Sequence, residues 1–219
     1  MFLYRFLPLL AVSFWATSLV LPFSAFAQDK FPTSGRINFT LGTGFGIYEV
    51  TNNEVNRPSS GALSGNFHIG GDYGLHPLLT LGMVVFRNGF ATDKDSNDAA
   101  RLGGAAVYLH LNFARRPKTT WFLTAGLGGT RFTYEDFDNR GKVWSSGSYV
   151  FAGLGFRRYF GNHLGITAQI HATGYDYSIF KDDKGKATLK TPSGNDFGIA
   201  LAGVETKFGL VYALGSGNR

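Results

Sequence analysis

The strongest constraint on the fold is an alternation of apolar and small or polar residues between Ile37 and Ile47. Ile, Phe and Leu occupy every second position of this run except Thr43, and Gly, Thr and Asn lie between them. A period of two is that of a β-strand with one apolar face, because successive side chains point to opposite faces. A soluble sandwich would carry larger charged groups on its second face, whereas Gly, Thr and Asn suit the narrow interior of a small barrel.

The same alternation recurs along the rest of the chain and predicts eight strands. In the run from Val107 to Phe113, for example, apolar residues alternate with Tyr, His and Asn. The segment 78–89 is apolar on both faces, so the alternation does not indicate which of its side chains point inward. The expected strands cover approximately residues 35–49, 61–73, 78–90, 100–113, 119–134, 146–160, 164–178 and 196–208.

The connections between the expected strands alternate between short and long. Short turns are expected around residues 74–77, 114–118 and 161–163, and long polar loops around residues 52–60, 91–99, 135–145 and 179–195. Short turns on one side and long loops on the other are typical of outer-membrane barrels. The sheet must close, because lipid cannot satisfy the backbone groups of an open edge. We therefore predict an all-β fold, an eight-stranded antiparallel up-and-down transmembrane β-barrel.

The N-terminal segment has the pattern of a cleavable signal peptide. Arg5 provides a positive charge, residues 6–20 are apolar, and residues 25–27, Ala-Phe-Ala, form a small-residue cleavage site. We expect residues 1–27 to be removed and residues 28–219 to form the barrel domain with a short C-terminal tail. An uncleaved membrane anchor is the alternative interpretation. The expected location is the outer membrane of a Gram-negative bacterium.

Composition excludes several other classes of protein. The chain has 219 residues with 30 Gly, 21 Phe and no Cys, so disulfides, zinc–thiolate sites and thiol nucleophiles are excluded. Aromatic residues make up 16% and charged residues 16%, which is too aromatic and too weakly charged for a disordered chain. The expected location excludes nucleic acid as a partner.

Two stretches carry a resemblance to a known family. Residues 151–160, Phe-Ala-Gly-Leu-Gly-Phe-Arg-Arg-Tyr-Phe, form a Gly-aromatic strand, and residues 203–208, Gly-Val-Glu-Thr-Lys-Phe, look like a closing strand. They resemble the small outer-membrane β-barrel superfamily, the group of the OmpA transmembrane domain and the opacity and Ail-type proteins. The resemblance implies the fold rather than any activity. Such barrels usually end on the last aromatic, here Phe208; the alternative is a strand that extends to Tyr212 or Leu214.

Aromatic residues near the ends of the expected strands predict two belts at the membrane interfaces. The alternative is that aromatic residues are simply common in strands. The belt near the long loops comprises Tyr48, Phe86, Tyr134, Tyr149, Tyr175 and Phe197. The belt near the short turns comprises Tyr73, Phe113, Trp121, Phe160 and Phe208.

Four charged residues fall on the expected inward face: Asp72, Arg157, Glu205 and Lys207. They should pair with one another, because an isolated buried charge is costly. An eight-stranded barrel has room for side chains but not for a wide channel, so we expect these residues to form a polar network that fills the lumen. The alternative is a narrow or gated ion path.

Three histidines, His68, His110 and His171, also fall on the inward face. They lie on non-neighbouring strands, so we expect polar packing in the lumen, with a metal site as the alternative. No metal or other cofactor is expected. The seventh strand also contains Asp176 and Ser178, which with His171 supply the residue types of a hydrolase triad. His171 and Ser178 are about seven residues apart at roughly 3.3 Å each, too far for contact, so no catalytic residues are predicted.

The expected function is a structural or interaction role, in which four extracellular loops are displayed for adhesion, ligand contact or envelope integrity. A narrow porin-like channel for small hydrophilic solutes is the first alternative, and a lipid A-modifying enzyme is the second. The expected partners are outer-membrane lipid and lipopolysaccharide, the barrel assembly machinery through the last strand, and an extracellular ligand at the long loops. The basic segment 181–190 could contact lipopolysaccharide phosphates by charge alone.

Overall fold

The computed structural model describes residues 34–53, 60–91, 100–116, 118–135, 141–186, 190–191 and 194–215. Its eight strands are β1 (Ile37–Asn52), β2 (Ser60–His76), β3 (Leu79–Phe90), β4 (Ala100–Arg116), β5 (Thr119–Tyr134), β6 (Val143–Tyr159), β7 (Leu164–Tyr177) and β8 (Ile199–Leu214). They form one closed barrel in sequence order, as predicted. The expected signal peptide, most of the first two long loops and residues 136–140 of the third lie outside the described residues. Within the described part of the chain, no helix is long and apolar enough to cross a membrane.

The barrel closes because β1 pairs antiparallel with both β2 and β8. Ile37 lies opposite Tyr73 on β2 and opposite Leu214 on β8, so β1 begins and β8 ends on the short-turn side. In barrels of this architecture the short turns face the periplasm and the long loops face outward. Closure gives every strand two neighbours and leaves no open sheet edge to lipid.

The last strand differs from the prediction of residues 196–208. β8 covers Ile199–Leu214, because the alternation continues past Phe208 and β1 offers pairing partners as far as Leu214. Phe208 lies opposite Thr43 inside the strand, so its predicted place at the short-turn end is wrong. Tyr212 is the aromatic residue of β8 that lies closer to this end.

Large apolar side chains cover the outside of the barrel. Met83 and Leu127, for example, are 61% and 63% exposed, although both are large and apolar. On β3, whose register the sequence did not indicate, Met83 and Val85 point outward and Val84 points inward. An apolar surface of this extent on a closed barrel is the surface that meets lipid.

The lumen contains a packed aromatic core instead of the small polar interior expected from the sequence. Tyr48, Phe86, Tyr149, Tyr175 and Phe197 are all buried in one hydrophobic cluster. Their assignment to an interface belt near the long loops is therefore wrong. The four on strands lie at inward positions of the alternation.

Inward glycines make room for these rings. A Cβ on Gly82 would lie 2.3 Å from Cζ of Tyr108 on the neighbouring strand, so the ring occupies the space that a side chain would need. At Gly44 the obstacle is backbone, because a Cβ there would lie 1.9 Å from the carbonyl oxygen of Thr206. Glycine on one strand and an aromatic ring on the next is a recurrent way to fill a curved sheet.

Candidate functional site

An ion pair between Asp72 on β2 and Arg157 on β6 crosses the half of the lumen nearer the short turns. Arg157 donates two hydrogen bonds to the carboxylate, Nη2 to Oδ2 at 2.6 Å and Nη1 to Oδ1 at 3.2 Å. Asn38 donates a further bond to Oδ1 at 2.6 Å, and the Tyr108 hydroxyl lies 3.4 Å from Oδ2. Both charged side chains are almost fully buried, so each is neutralised by the other rather than by water.

A second pair, Glu205 and Lys207 on β8, lies further toward the long loops. Nζ of Lys207 is 3.2 Å from Oε2 of Glu205. The hydroxyls of Tyr48, at 2.7 Å, and of Tyr175 donate to Oε1 of the same carboxylate. Lys207 also lies 3.4 Å from the hydroxyl oxygen of Tyr149. The four inward charges named from the sequence thus form two separate pairs, each held by tyrosine hydroxyls.

The three inward histidines are all buried in the lumen, close to these two ion pairs. His110 stacks between Tyr108 and Phe122, with ring centroids 4.6 Å and 4.1 Å apart. His68, His110 and His171 all line a small cavity of about 30 Å³. A cavity of this size holds a few water molecules at most.

Nothing in the described lumen assembles these histidines into a metal centre. Within the residues that the structure describes, no group of three or more His, Asp or Glu side chains is arranged to hold a metal ion. His171 instead shares a hydrogen bond of 2.9 Å with Oε1 of Gln169 on its own strand. His171 is buried in the lumen, whereas Asp176 and Ser178 are exposed, so the three residue types of a hydrolase triad do not meet.

The lumen is covered at the long-loop end by the connection between β7 and β8. Phe180 and Phe197 of this connection are buried, with their ring centroids 5.7 Å apart. Phe180 also packs edge-on against Phe132 of β5 at 6.1 Å. Sequence reasoning missed Phe180, because a single aromatic residue in an irregular segment follows no period.

The same connection pairs with the loop-side end of β6 through an antiparallel bridge. Lys181 and Trp144 exchange two backbone hydrogen bonds, of 2.9 Å and 2.8 Å. The indole Nε1 of Trp144 donates to the carbonyl of Asp182 at 3.1 Å. These bonds hold the start of the connection in place, close to where Phe180 enters the lumen.

The aromatic residues assigned to the short-turn interface face outward. Tyr73, Trp121, Phe160 and Phe208 are exposed and Phe113 is half-buried. Four of them lie close to the ends of strands or in a turn, as placed by the sequence, and Phe208 is the exception already described.

No model of a known protein family matches the chain, and no curated protein sequence matches it. Among solved structures it is similar to Ail, the attachment invasion locus protein of Yersinia pestis. That likeness has 11% identity, covers 83% of this chain and 99% of Ail, and has a TM-score of 0.46.

Two barrels from Pseudomonas aeruginosa are similar to a comparable degree. The N-terminal β-barrel domain of OprF has 9% identity, 83% coverage of this chain, 98% coverage of its own and a TM-score of 0.44. The outer membrane protein OprG has 12% identity, coverages of 85% and 100%, and a TM-score of 0.43. With its closed strand order and apolar exterior, the chain is a transmembrane β-barrel protein.

Proposed function

We propose that this protein is a non-conducting barrel with a structural or interaction role, which makes its contacts at its outward surface and extracellular loops. The observation that carries the proposal is the filled lumen, in which two ion pairs, an aromatic core and a covering connection follow one another along the axis. The pore alternative would need a continuous water-filled path.

The contacts of the described lumen residues argue against such a path. The cavity between the two ion pairs is small, about 30 Å³, and holds a few water molecules at most. The Asp72–Arg157 pair blocks one side of it, and Phe180 covers the outer end. Opening this route would separate buried charges from their partners, at about 3–5 kcal/mol for each pair. A permeating ion would have to displace both pairs in turn.

The connection between β7 and β8 supports an interaction role. Asp182 Oδ1 accepts hydrogen bonds from the backbone N–H groups of Lys184 and Lys186, both at 2.9 Å. This turn presents two exposed lysines beyond the barrel wall. Lys190 and Asp196 form an exposed ion pair further along, at 2.5 Å. An ordered, charged surface beyond the barrel is what contact with a ligand or with neighbouring envelope molecules requires.

Planar-bilayer recordings test the proposal directly. Mature protein refolded from inclusion bodies should give no resolved current steps, because side chains of the described strands and of the β7–β8 connection fill the lumen. A general porin inserted in the same membranes is the control for insertion and detection. Folding of each sample is checked by the difference in migration between unboiled and boiled protein.

Reproducible steps of uniform size would contradict the proposal if they depend on lumen residues. A Glu205→Gln variant tests whether the steps depend on the lumen, because it removes a charge deep in the lumen and leaves the outer surface unchanged. Steps whose ion selectivity changes in this variant would establish the narrow pore. Steps with the same selectivity in both proteins would come from a leak outside the lumen, and the proposal would stand.

A further inference from the structure

Three arginines stand on the lipid-facing wall near the long-loop end. Arg87 of β3 lies opposite Gly103 of β4, and Gly103 lies opposite Arg131 of β5, so the two arginines share one row across three strands. Neighbouring strands are about 4.8 Å apart, which places the Cα atoms of Arg87 and Arg131 about 10 Å from each other. Arg101 lies on the central strand, two positions beyond Gly103 toward the loops. All three arginines are exposed.

The row lies where the apolar belt ends. On β3 the outward residues before Arg87 are Met83 and Val85, and on β5 Leu127 precedes Arg131 by two outward positions. An arginine facing lipid at the middle of a membrane costs about 2–4 kcal/mol, but near the interface the cost falls to about 0–1 kcal/mol. The arginines therefore lie at the height of the lipid headgroups on the long-loop side.

In the described strands, outward positive charge near the long-loop end is found only on β3, β4 and β5. Among the residues that the structure describes, Arg87 has no carboxylate partner. Arg101 has an exposed partner, Glu135, at 2.9 Å. On the opposite side, the outward charged residues near the same end are Glu49 of β1 and Asp176 of β7. This separation distinguishes the arginines from an ordinary mixed-charge rim.

Trp144 adds a flat aromatic surface to the basic side. The Arg131 guanidinium lies 4.1 Å from the centre of the indole ring, and Nζ of Lys181 lies 5.4 Å from it. Stacking on an aromatic ring fixes a guanidinium while its N–H groups stay available for a ligand. The attached β7–β8 connection thus places a fourth cation beside the row.

The surface between the arginines is open. Outward Gly89 has nothing within 4 Å of where a Cβ would lie, and a Cβ on Gly103 would meet only a carbonyl oxygen at 3.8 Å. A groove of about 370 Å³ lies on the flank of the row toward β2, lined by Arg87 and Arg101 together with Phe67. Because side chains would fit at both Gly89 and Gly103, steric crowding does not explain why these two positions carry none.

An apolar groove of about 590 Å³ lies below the row on the same side of the barrel. Val107, Leu109 and Leu127 line it, and Ala125 and Ala152 make it deep because their side chains are small. Leu127 is opposite Val107, and the next outward pair toward the arginines is Gly129 and Ala105. Cations at the interface match the phosphate group of a phosphorylated lipid, and the narrow apolar groove beneath them matches one of its acyl chains.

We propose that this wall binds a phosphorylated glycolipid of the outer leaflet with the chemistry of lipid A. Its phosphate lies against this row, at the groove formed by Arg87 and Arg101 and with Arg131 beside it on Trp144, and one acyl chain lies in the apolar groove. An arginine donates two parallel N–H hydrogen bonds to two oxygens of one phosphate. Arginines therefore recognise phosphate with more geometric specificity than lysines would. The site lies on the barrel wall rather than in the loops, and it does not depend on whether the lumen conducts.

Binding of defined lipids to the refolded mature protein in detergent micelles tests the proposal. The probes are bisphosphorylated lipid A and the same lipid A after enzymatic dephosphorylation, measured by native mass spectrometry. The phosphorylated form should bind at least about ten-fold more tightly, and its affinity should fall as salt is raised. The double variant Arg87→Gln/Arg131→Gln should lose about ten-fold of that affinity.

Two further variants separate the site from general charge attraction. Arg158→Gln/Lys118→Gln removes two exposed cations near the short turns and should leave lipid binding unchanged. Ala125→Phe fills the apolar groove and should weaken binding while the arginines stay intact. Equal binding of both lipid forms, or an equal loss of affinity in both double variants, would overturn the proposal. Each variant is compared only after gel migration confirms that it folds.

Discussion

Asp72→Ala should lower the free energy of unfolding by about 3–5 kcal/mol, because it leaves the Arg157 guanidinium buried without a counter-charge. Arg157 is 6% exposed, and its Nη1 and Nη2 atoms both donate to this carboxylate. Asn38 would lose the acceptor of its 2.6 Å hydrogen bond at the same time. The measurement is reversible urea unfolding in lipid vesicles, followed by tryptophan fluorescence and by gel migration.

A double variant separates the loss of the pair from the loss of one partner. In Asp72→Leu/Arg157→Met both charges are replaced by apolar side chains, so no buried charge remains unpaired. Replacements of this kind are often neutral or even stabilising. We therefore expect the double variant to be clearly more stable than Asp72→Ala. If Asp72→Ala unfolds at the same urea concentration as the wild type, the pair does not neutralise a buried charge.

The alternation of the sequence predicted the number, order and closure of the strands, because lipid on one side and a narrow lumen on the other impose a strict period of two. It also placed Asp72, Arg157, Glu205 and Lys207 in the lumen. It could not say which charges meet. Asp72 and Arg157 lie on β2 and β6 across the barrel, and their contact depends on the tilt and stagger of the strands.

The prediction of an interface belt near the long loops is wrong, although the alternation of the sequence already places most of these aromatic residues on the inward face. Tyr48 was assigned to the interface by its height along the strand, but it is two positions from the inward Gly46 and so points inward too. Tyr149 stands in the same relation to the inward Phe151. A narrow interior favours small inward side chains, but inward glycines on neighbouring strands make room for these rings. Phe180 is different, because its burial depends on how an irregular connection folds back and no local pattern encodes that.

Gly44→Val should strongly reduce the fraction of molecules that fold into a closed barrel. A Cβ at position 44 would lie 1.9 Å from the carbonyl oxygen of Thr206 and 3.0 Å from the side-chain nitrogen of Asn66. Thr206 lies opposite Phe45 on β1, within the ladder that joins β1 to β8. The carbonyl cannot move away without breaking that ladder, so we expect a loss of about 3 kcal/mol, the upper end of what overpacking usually costs. The folded fraction is measured by the migration of unboiled protein after refolding.

Gly61→Val is the matched control, because a Cβ at this outward position of β2 would meet nothing within 4 Å. The same valine should therefore be tolerated there. Gly44→Ala identifies the cause of the defect: the clash involves the Cβ itself, so alanine should already lose much of the folded fraction. If alanine folded as completely as the wild type and only valine failed, side-chain volume in the lumen would be limiting. The close approach of β1 to β8 would then not be what requires glycine at this position.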